Sequence, residues 1–488
     1  MAIKKLRIAF LSSEVAPFSK TGGLADVAGA LPVELKKLGY DIEIFTPLYR
    51  SIKNSKIKLS TRSSKVAIPI SSRISEGEFI KFKADPITIH FLKSDQYYDR
   101  DQLYNDEHGD YPDNLERFVF FSKAVLARLK QMKKRPDIIH LNDWHSSLVP
   151  VYLKNRVEND KFFKNTKTLL TIHNLGYQGI FNPKDWHITG LDFTLFHPLY
   201  LEFYSMINCL KAGIIFSDMV STVSPSYAIE IQDKKQGHAL EGVLQEKGRN
   251  SILTGIVNGI DDTVWNPATD SLIPANFDKN NLEGKKVCKR ELLSYFELAD
   301  SNRALIGIVS RLVTQKGFHL FAKIADKILK KDITLVVLGS GEQWLETFFR
   351  ELAVAYPTKV GVQIGYNDQL AHLIEAGSDM FLMPSIYEPC GLNQLYSLAY
   401  GTVPIARATG GLKDTIENFD LSTNLGNGFL FDEADENELY NAIDRAVTVY
   451  NSDRSLWKKI ILSGMNANHS LLNSALQYSD LYQKLVKG

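Results

Sequence analysis

The feature that most constrains this chain is a repeated rhythm of short apolar runs separated by segments with helical spacing. In the first half the runs fall at 7–12, 41–45, 66–70, 87–92, 137–141, 167–172 and 219–223. Between the first two, Leu24, Val27, Leu31, Leu35 and Leu38 share one helical face that Gly39 closes, and similar patterns lie near 114–130 and 146–154. Runs this short suit strands, and strands alternating with helices predict βαβ units and a parallel sheet. The rhythm restarts at 304–310 and continues through 333–338, 360–364, 379–383, 403–406 and 428–431, which predicts a second doubly wound domain. The fold class expected is therefore α/β with two Rossmann-like domains, and 488 residues are enough for two large cores. The polar stretch Asp261–Lys286, rich in Asn, Asp and Pro, reads as the inter-domain connection. Domains are expected over 1–255 and 256–462, with 463–488 forming a C-terminal helix that returns to the first domain, because Leu471, Leu472, Leu476, Leu481 and Leu485 recur at helical spacing. The basic stretch Arg50–Lys65 reads as a solvated hairpin.

Composition removes several function classes. Lys and Arg number 57 against 56 Asp and Glu, a net charge of +1, so no global field draws in nucleic acid or an acidic membrane. No apolar run approaches the roughly 20 residues that span a bilayer. Cys209, Cys288 and Cys390 build neither a disulfide framework nor a paired CxxC metal site, which suits a reducing cytoplasm. The N-terminal segment lacks the long apolar region of a signal peptide and reads as the approach to the first strand.

Open α/β sheets bind ligands at the carboxyl ends of their strands, so chemistry is sought in the loops there. Lys20-Thr21-Gly22-Gly23 opens a helix, where backbone N–H groups, the dipole and a lysine suit a phosphate. Arg311 and Lys316, five residues apart after a strand, can grip a diphosphate, one by a planar fork and the other as a point charge. Glu388-Pro389-Cys390-Gly391-Leu392 places a carboxylate before a helix, as a cap or as a substrate-gripping acid. Thr409-Gly410-Gly411-Leu412 repeats the first glycine pair in the other half, which suggests two walls holding one ligand. His140, Asp143, His145 and His173 sit on or after successive strands; without an HExxH or CxxC frame, hydrogen-bonding roles are expected and no metal. Gly339-Ser340-Gly341 lacks the third glycine of a dinucleotide fingerprint, which Trp344 replaces.

At these residues the sequence resembles the bacterial glycogen synthase and plant starch synthase family. The motifs are KTGGLADV (20–27), HLNDWH (140–145), TIHNLGYQG (171–179), VNGIDDTVWNP (257–267), SRLVTQKG (310–317), IGYNDQLAH (364–372), EPCGL (388–392) and ATGGLKDT (408–415), in the family's order. The resemblance implies a GT-B fold, two Rossmann-like domains facing across a deep cleft. It also implies transfer of glucose from ADP-glucose to the non-reducing end of an α-1,4-glucan with retention, without a cofactor. By the same resemblance Lys20, Gly22 and Gly23 approach the donor phosphates from one domain and Arg311 and Lys316 from the other. Glu388 grips glucose hydroxyls beside Cys390, Gly391 and Leu392, and Tyr366 stacks on adenine. Asn258 lies at the domain junction, Glu14, Asp26 and Tyr98 face the cleft, His173 and Asn174 lie near the transferred sugar, and Asp143 and His145 near the acceptor. The sequence departs from the family at Ser385-Ile386-Tyr387, where Ser-Arg-Phe is usual, at Asn393 in place of Thr, and at Ala408 in place of a frequent Arg. Rival readings are another retaining GT-B transferase, using UDP-glucose or of sucrose type, and a glucan-binding relative without catalysis.

Overall fold

Alternating side chains along each strand decide how the two sheets are covered. The structure, a computed structural model, describes residues 5–156 and 160–487; the expected domain ends at residues 1–4 and 488, and residues 157–159, lie outside it. The chain divides into two units. The first comprises the chain to Val223, Ala228–Ile256 and the segment from Leu471, and the second Ser224–Tyr227 and Val257–Ser470.

The first unit holds β1 (Arg7–Leu11), β2 (Asp41–Pro47), β3 (Ser63–Ile70), β4 (Arg73–Ala84), β5 (Ile87–Lys93), β6 (Ile138–Asn142), β7 (Lys167–Ile172), β8 (Met219–Thr222) and β9 (Leu253–Gly255). They form one sheet in the order β9-β8-β7-β6-β1-β2-β5-β4-β3. All pairings are parallel except those of β4 with β3 and with β5. The hairpin expected over Arg50–Lys65 is displaced: Arg50–Lys53 is a helical turn, and the antiparallel pair is β3 with β4. β4 has too few apolar residues to stand out, because it is half-solvated near the sheet edge and needs only one covered face.

The second unit holds β10 (Ala304–Leu312), β11 (Ile333–Gly341), β12 (Val360–Ile364), β13 (Met380–Met383), β14 (Val403–Arg407) and β15 (Phe429–Phe431), ordered β12-β11-β10-β13-β14-β15 and wholly parallel. Ile306, Ile308, Leu335, Val337, Leu382 and Ile405 pack into one apolar core. Leu305, Val336, Leu338, Phe381, Met383 and Ala406, their alternates, pack into another. Both faces are thus buried, which is why these strands read as continuous apolar runs.

The polar stretch Asp261–Lys286 is not a loose connection. It is pinned to the second unit by buried polar groups. Asp270 Oδ2 accepts from the Tyr400 hydroxyl at 2.6 Å and pairs with His372 Nδ1 at 2.7 Å. Lys285 Nζ donates to the carbonyls of Ala376 and Tyr400 and to Thr402 Oγ1. Trp265 lies stacked on His372 and on Tyr396, each with centroids 3.8 Å apart. A composition suited to a solvated linker here serves a satisfied buried network.

The expected helix from residue 463 also divides. Arg454–Asn466 is a helix of the second unit, and Leu471–Lys487 a separate helix of the first, packed on the helix Gly23–Lys37. It is held by polar contacts too: the Tyr40 hydroxyl lies 2.7 Å from Ser479 Oγ, and the Tyr482 hydroxyl 2.6 Å from His140 Nδ1. His140 Nε2 bonds Thr171 Oγ1 at 2.7 Å, and burial pulls the imidazole down to about 3, so it is neutral. Removing the hydroxyl leaves a buried ring nitrogen unpaired, so Tyr482→Phe is expected to cost about 1–3 kcal/mol. Urea denaturation of the full chain measures this.

Candidate active site

In the parallel part of each of these two sheets the strand order reverses once, and at such a switch point the two adjacent loops diverge to leave a crevice at the carboxyl ends. In the second unit the reversal lies between β10 and β13, and in the first between β1 and β6.

In the second unit the two diverging loops are 313–317 and 384–392. They touch through Gly317, whose φ of +75° and a hypothetical Cβ 1.8 Å from the Pro384 carbonyl oxygen admit no side chain. That approach sets Lys316 Nζ 2.5 Å from Glu388 Oε2, with Ser385 Oγ donating to the same oxygen at 3.0 Å. Glu388 is 6% exposed, while Arg311 lies exposed at the end of β10. The Arg407 guanidinium donates to the carbonyls of Ser385, Ile386 and Asp432, clamping the loop that departs from the family sequence. Asn393 reaches across to the Val309 carbonyl at 2.6 Å, tying the helix start after Leu392 to β10.

The second glycine pair is packed against the chain where Gly22 is open. A Cβ on Gly410 would meet the Glu388 carbonyl oxygen at 2.0 Å, and one on Gly411 the Cys390 carbonyl oxygen at 2.1 Å. The Gly411 N–H donates to the carbonyls of Glu388 and Pro389. This pair buttresses the loop that carries the glutamate, whereas a Cβ on Gly22 would meet nothing within 4 Å. Cys390 is buried and its thiol is pushed up to about 12 by that burial, against a backbone N–H from Asn258. It is a neutral packing group. Gly391, at φ +73°, turns the chain into the next helix. Tyr366 follows β12, 78% exposed, its hydroxyl bonded to Asp368 Oδ1 at 2.9 Å.

In the first unit β1 runs into Ser12, Ser13 and Glu14, and β6 into Asp143 and His145. Lys20 Nζ pairs with Asp26 Oδ1 at 2.7 Å on the loop opening the helix Gly23–Lys37. Asp143 adopts φ +52°, ψ −173°. Its Oδ1 accepts the His173 N–H at 2.7 Å, and the Asn174 N–H also bonds the carboxylate. Burial nevertheless raises Asp143 to about 7. Asn142 Nδ2 donates to the Leu11 carbonyl, which turns its Oδ1 toward His173 Nε2 at 2.9 Å. Burial draws His173 down to about 3, so the imidazole is neutral and carries its proton on Nε2. His145 is buried against Trp144, Tyr104 and Phe118, and its Nδ1 finds no hydrogen-bond partner among the described residues.

Two expectations are corrected. Tyr98 does not face a crevice: it is fully buried, its hydroxyl given to the Arg117 carbonyl at 2.9 Å. The reachable tyrosine is Tyr104, whose hydroxyl meets Glu14 Oε1 at 2.8 Å. His140 belongs to the helix contact described above rather than to the loops. Tyr104, Asn142 and Arg407 were not singled out from the sequence, and Ser385 only as a departure from the family pattern; their spacing from strand ends could have found them. Asp99 and Asp101 both pair with Arg50, and among the described residues no three His, Cys, Asp or Glu side chains gather as a metal site would require.

Two Rossmann-like units, each with polar and charged loops at its switch point, define a glycosyltransferase of GT-B architecture, and comparison with known proteins agrees. Residues 7–246 match the family described as starch synthase catalytic domain, and residues 290–460 match glycosyl transferases group 1. The chain is 43% identical to a glycogen synthase of Syntrophotalea carbinolica over 483 residues, 99% of each chain. It is 44% identical to one of Koribacter versatilis over 484 residues, 98% of each. The catalytic domain of starch synthase IV from Arabidopsis thaliana, solved bound to ADP and acarbose, superposes with a TM-score of 0.90 at 32% identity, covering 99% of this chain and 100% of that one. A sucrose-phosphate synthase from Thermosynechococcus elongatus shares the fold, with a TM-score of 0.59 at 18% identity and 99% of each chain covered. The chain belongs to the glycogen synthase and starch synthase family. No described helix is long and apolar enough to cross a membrane.

Asp143 provides a titration test. Its folded value of about 7 lies above the ordinary 3.8, so its contribution is complete below about pH 4 and is lost as pH rises through 7. Asp143→Asn, which cannot ionise, is expected to lose less stability across that rise than the parent, by on the order of 1 kcal/mol per pH unit. Urea denaturation between pH 4 and 8 reads the difference.

Proposed function

We propose that the chain transfers glucose from ADP-glucose to the non-reducing 4-hydroxyl of an α-1,4-glucan with retention at the anomeric carbon, in the cytoplasm and without a metal. The observation that carries the reading is Glu388 beside Lys316 at the switch point of the second unit, with Arg311 at the end of the neighbouring strand. A glucan binder without catalysis has no use for two cations at that position. The names of the relatives, and ADP and acarbose in the starch synthase IV structure, support this donor and acceptor class. Three free, buried cysteines suit a reducing compartment.

In this reading the bond from the anomeric carbon to the diphosphate oxygen breaks as the acceptor oxygen bonds the same face. The acceptor's proton passes to the leaving phosphate. The sugar gains oxocarbenium character and the diphosphate gains negative charge. Arg311 and Lys316 stabilise that charge more in the transition state than in the ground state, a role the family resemblance also gives Lys20 and the Gly22-Gly23 loop. Glu388 holds glucose hydroxyls and keeps Lys316 placed; Cys390, Gly391 and Leu392 shape the loop around it. Asn258 braces that loop from its backbone, and Tyr366 offers an exposed ring to adenine. Neutral His173, with Asn174, meets the transferred sugar, Asp143 and His145 support the acceptor side, and Asp26 tethers Lys20.

Glu388→Ala is expected to lower turnover roughly 10²-fold or more with the fold intact. Near-parental turnover in an incorporation assay with glycogen, offering ADP-glucose and UDP-glucose in parallel, would reduce Glu388 to a structural role, and preference for UDP-glucose would overturn the donor. A divalent cation placed beside Arg311 and Lys316 meets like-charge repulsion. Activity is therefore expected to persist in excess EDTA and in Asp101→Ala and to fall strongly in Lys316→Ala; restoration of chelated enzyme by magnesium would defeat the cationic mechanism.

A further inference from the structure

Glu14 sits just past β1, 4% exposed, and both of its carboxylate oxygens are filled by its own chain. Oε2 accepts the Thr21 N–H at 2.5 Å and the Gly22 N–H at 3.3 Å. Oε1 accepts the Thr21 hydroxyl at 2.6 Å and meets the Tyr104 hydroxyl at 2.8 Å. The Tyr104 oxygen also lies 2.7 Å from Ser13 Oγ, so strand end, loop and Tyr104 form one network. Burial raises the cost of the carboxylate's charge, and these four donors oppose that rise.

A carboxylate so committed has no oxygen left for a sugar. The Thr21 and Gly22 N–H groups at the positive end of the helix Gly23–Lys37 are likewise already given to an internal anion. We propose that Glu14 is a positioning residue: it fixes the loop 19–22 to the end of β1, so that Lys20 and the Gly23 N–H, rather than the Thr21 and Gly22 amides, are what the loop presents to the donor diphosphate. The proposal rests on the reading that this loop meets the donor. It moves Glu14 from a cleft-facing place, which the family resemblance gives it, to the support of the phosphate grip. Tyr104 completes the anchor by donating to Oε1 and thereby opposing rotation of the carboxylate.

The test uses the full chain. In Glu14→Ala the KM for ADP-glucose is expected to rise at least tenfold, the KM for glycogen to stay within twofold, and hydrogen exchange of the peptide spanning 15–26 to quicken. Glu14→Gln keeps an oxygen for Thr21 and is expected to hold the donor KM within about threefold of the parent. Should Glu14→Ala fail to fold, Tyr104→Phe, which removes one donor without opening a cavity, is expected to raise the donor KM and not the glycogen KM. A rise in glycogen KM at constant donor KM, or unchanged exchange in the 15–26 peptide, overturns the proposal. Lys20→Ala separates the two readings: an unchanged donor KM there defeats the phosphate role of the loop, while the exchange result alone judges the anchoring by Glu14.

Discussion

A parallel sheet covered on both faces leaves few places for chemistry. Its strands are apolar on either side, its helices pack on them, and only the loops beyond the carboxyl ends can hold ligand-facing polar groups. In the second unit, alternate residues of β10 and β11 enter two separate cores, so neither face has room for a charged side chain. Charge is driven to the ends, and the reversal of strand order between β10 and β13 decides which two ends diverge. Lys316 and Glu388 come from those two loops, 72 residues apart in sequence and 2.5 Å apart in space.

The cations of these loops are paired with carboxylates of their own unit: Lys316 with Glu388 and Lys20 with Asp26. The amides that open the first helix are occupied in the same manner by Glu14. The positive charge of Lys316 and Lys20 is thus balanced within each unit by a carboxylate that folding brings beside it. Such an arrangement limits the desolvation and self-repulsion that clustered cations impose on a fold.

Glycine does two different things in the two Thr-Gly-Gly-Leu segments. At 22 the space beyond the backbone is open, whereas at 410 and 411 it is filled by the backbone of Glu388 and Cys390. Identical sequence therefore serves two local settings, open backbone at Gly22 in one unit and tight packing against a neighbouring loop at Gly410 and Gly411 in the other. Arg407 ties that neighbouring loop to the end of β14, Asn393 ties the helix after it to β10, and Ser385 bonds Glu388 within it.

Periodicity determined most of the strands and both sheets, because burial on two faces demands continuous apolar runs that stand out against polar loops. It also marked the loops at 20–23, 311–317 and 388–392 as strand-end segments rich in glycine and charge, without deciding between a ligand role and a turn or cap. What sequence could not determine is what each polar side chain meets. Tyr98 and Tyr104 lie six residues apart; one is sealed in the core on Arg117 and the other reaches Glu14. His140 and His173 look alike in sequence, yet one binds the C-terminal helix and the other a strand-end asparagine. The half-solvated strand β4, whose few apolar residues cover one face, and the polar stretch 261–286, whose polarity is used inside a buried network, were equally hidden. Local pattern records how much of a residue is covered by water or by apolar neighbours, while the partner of a buried polar group comes from distant parts of the chain and is decided only when they pack.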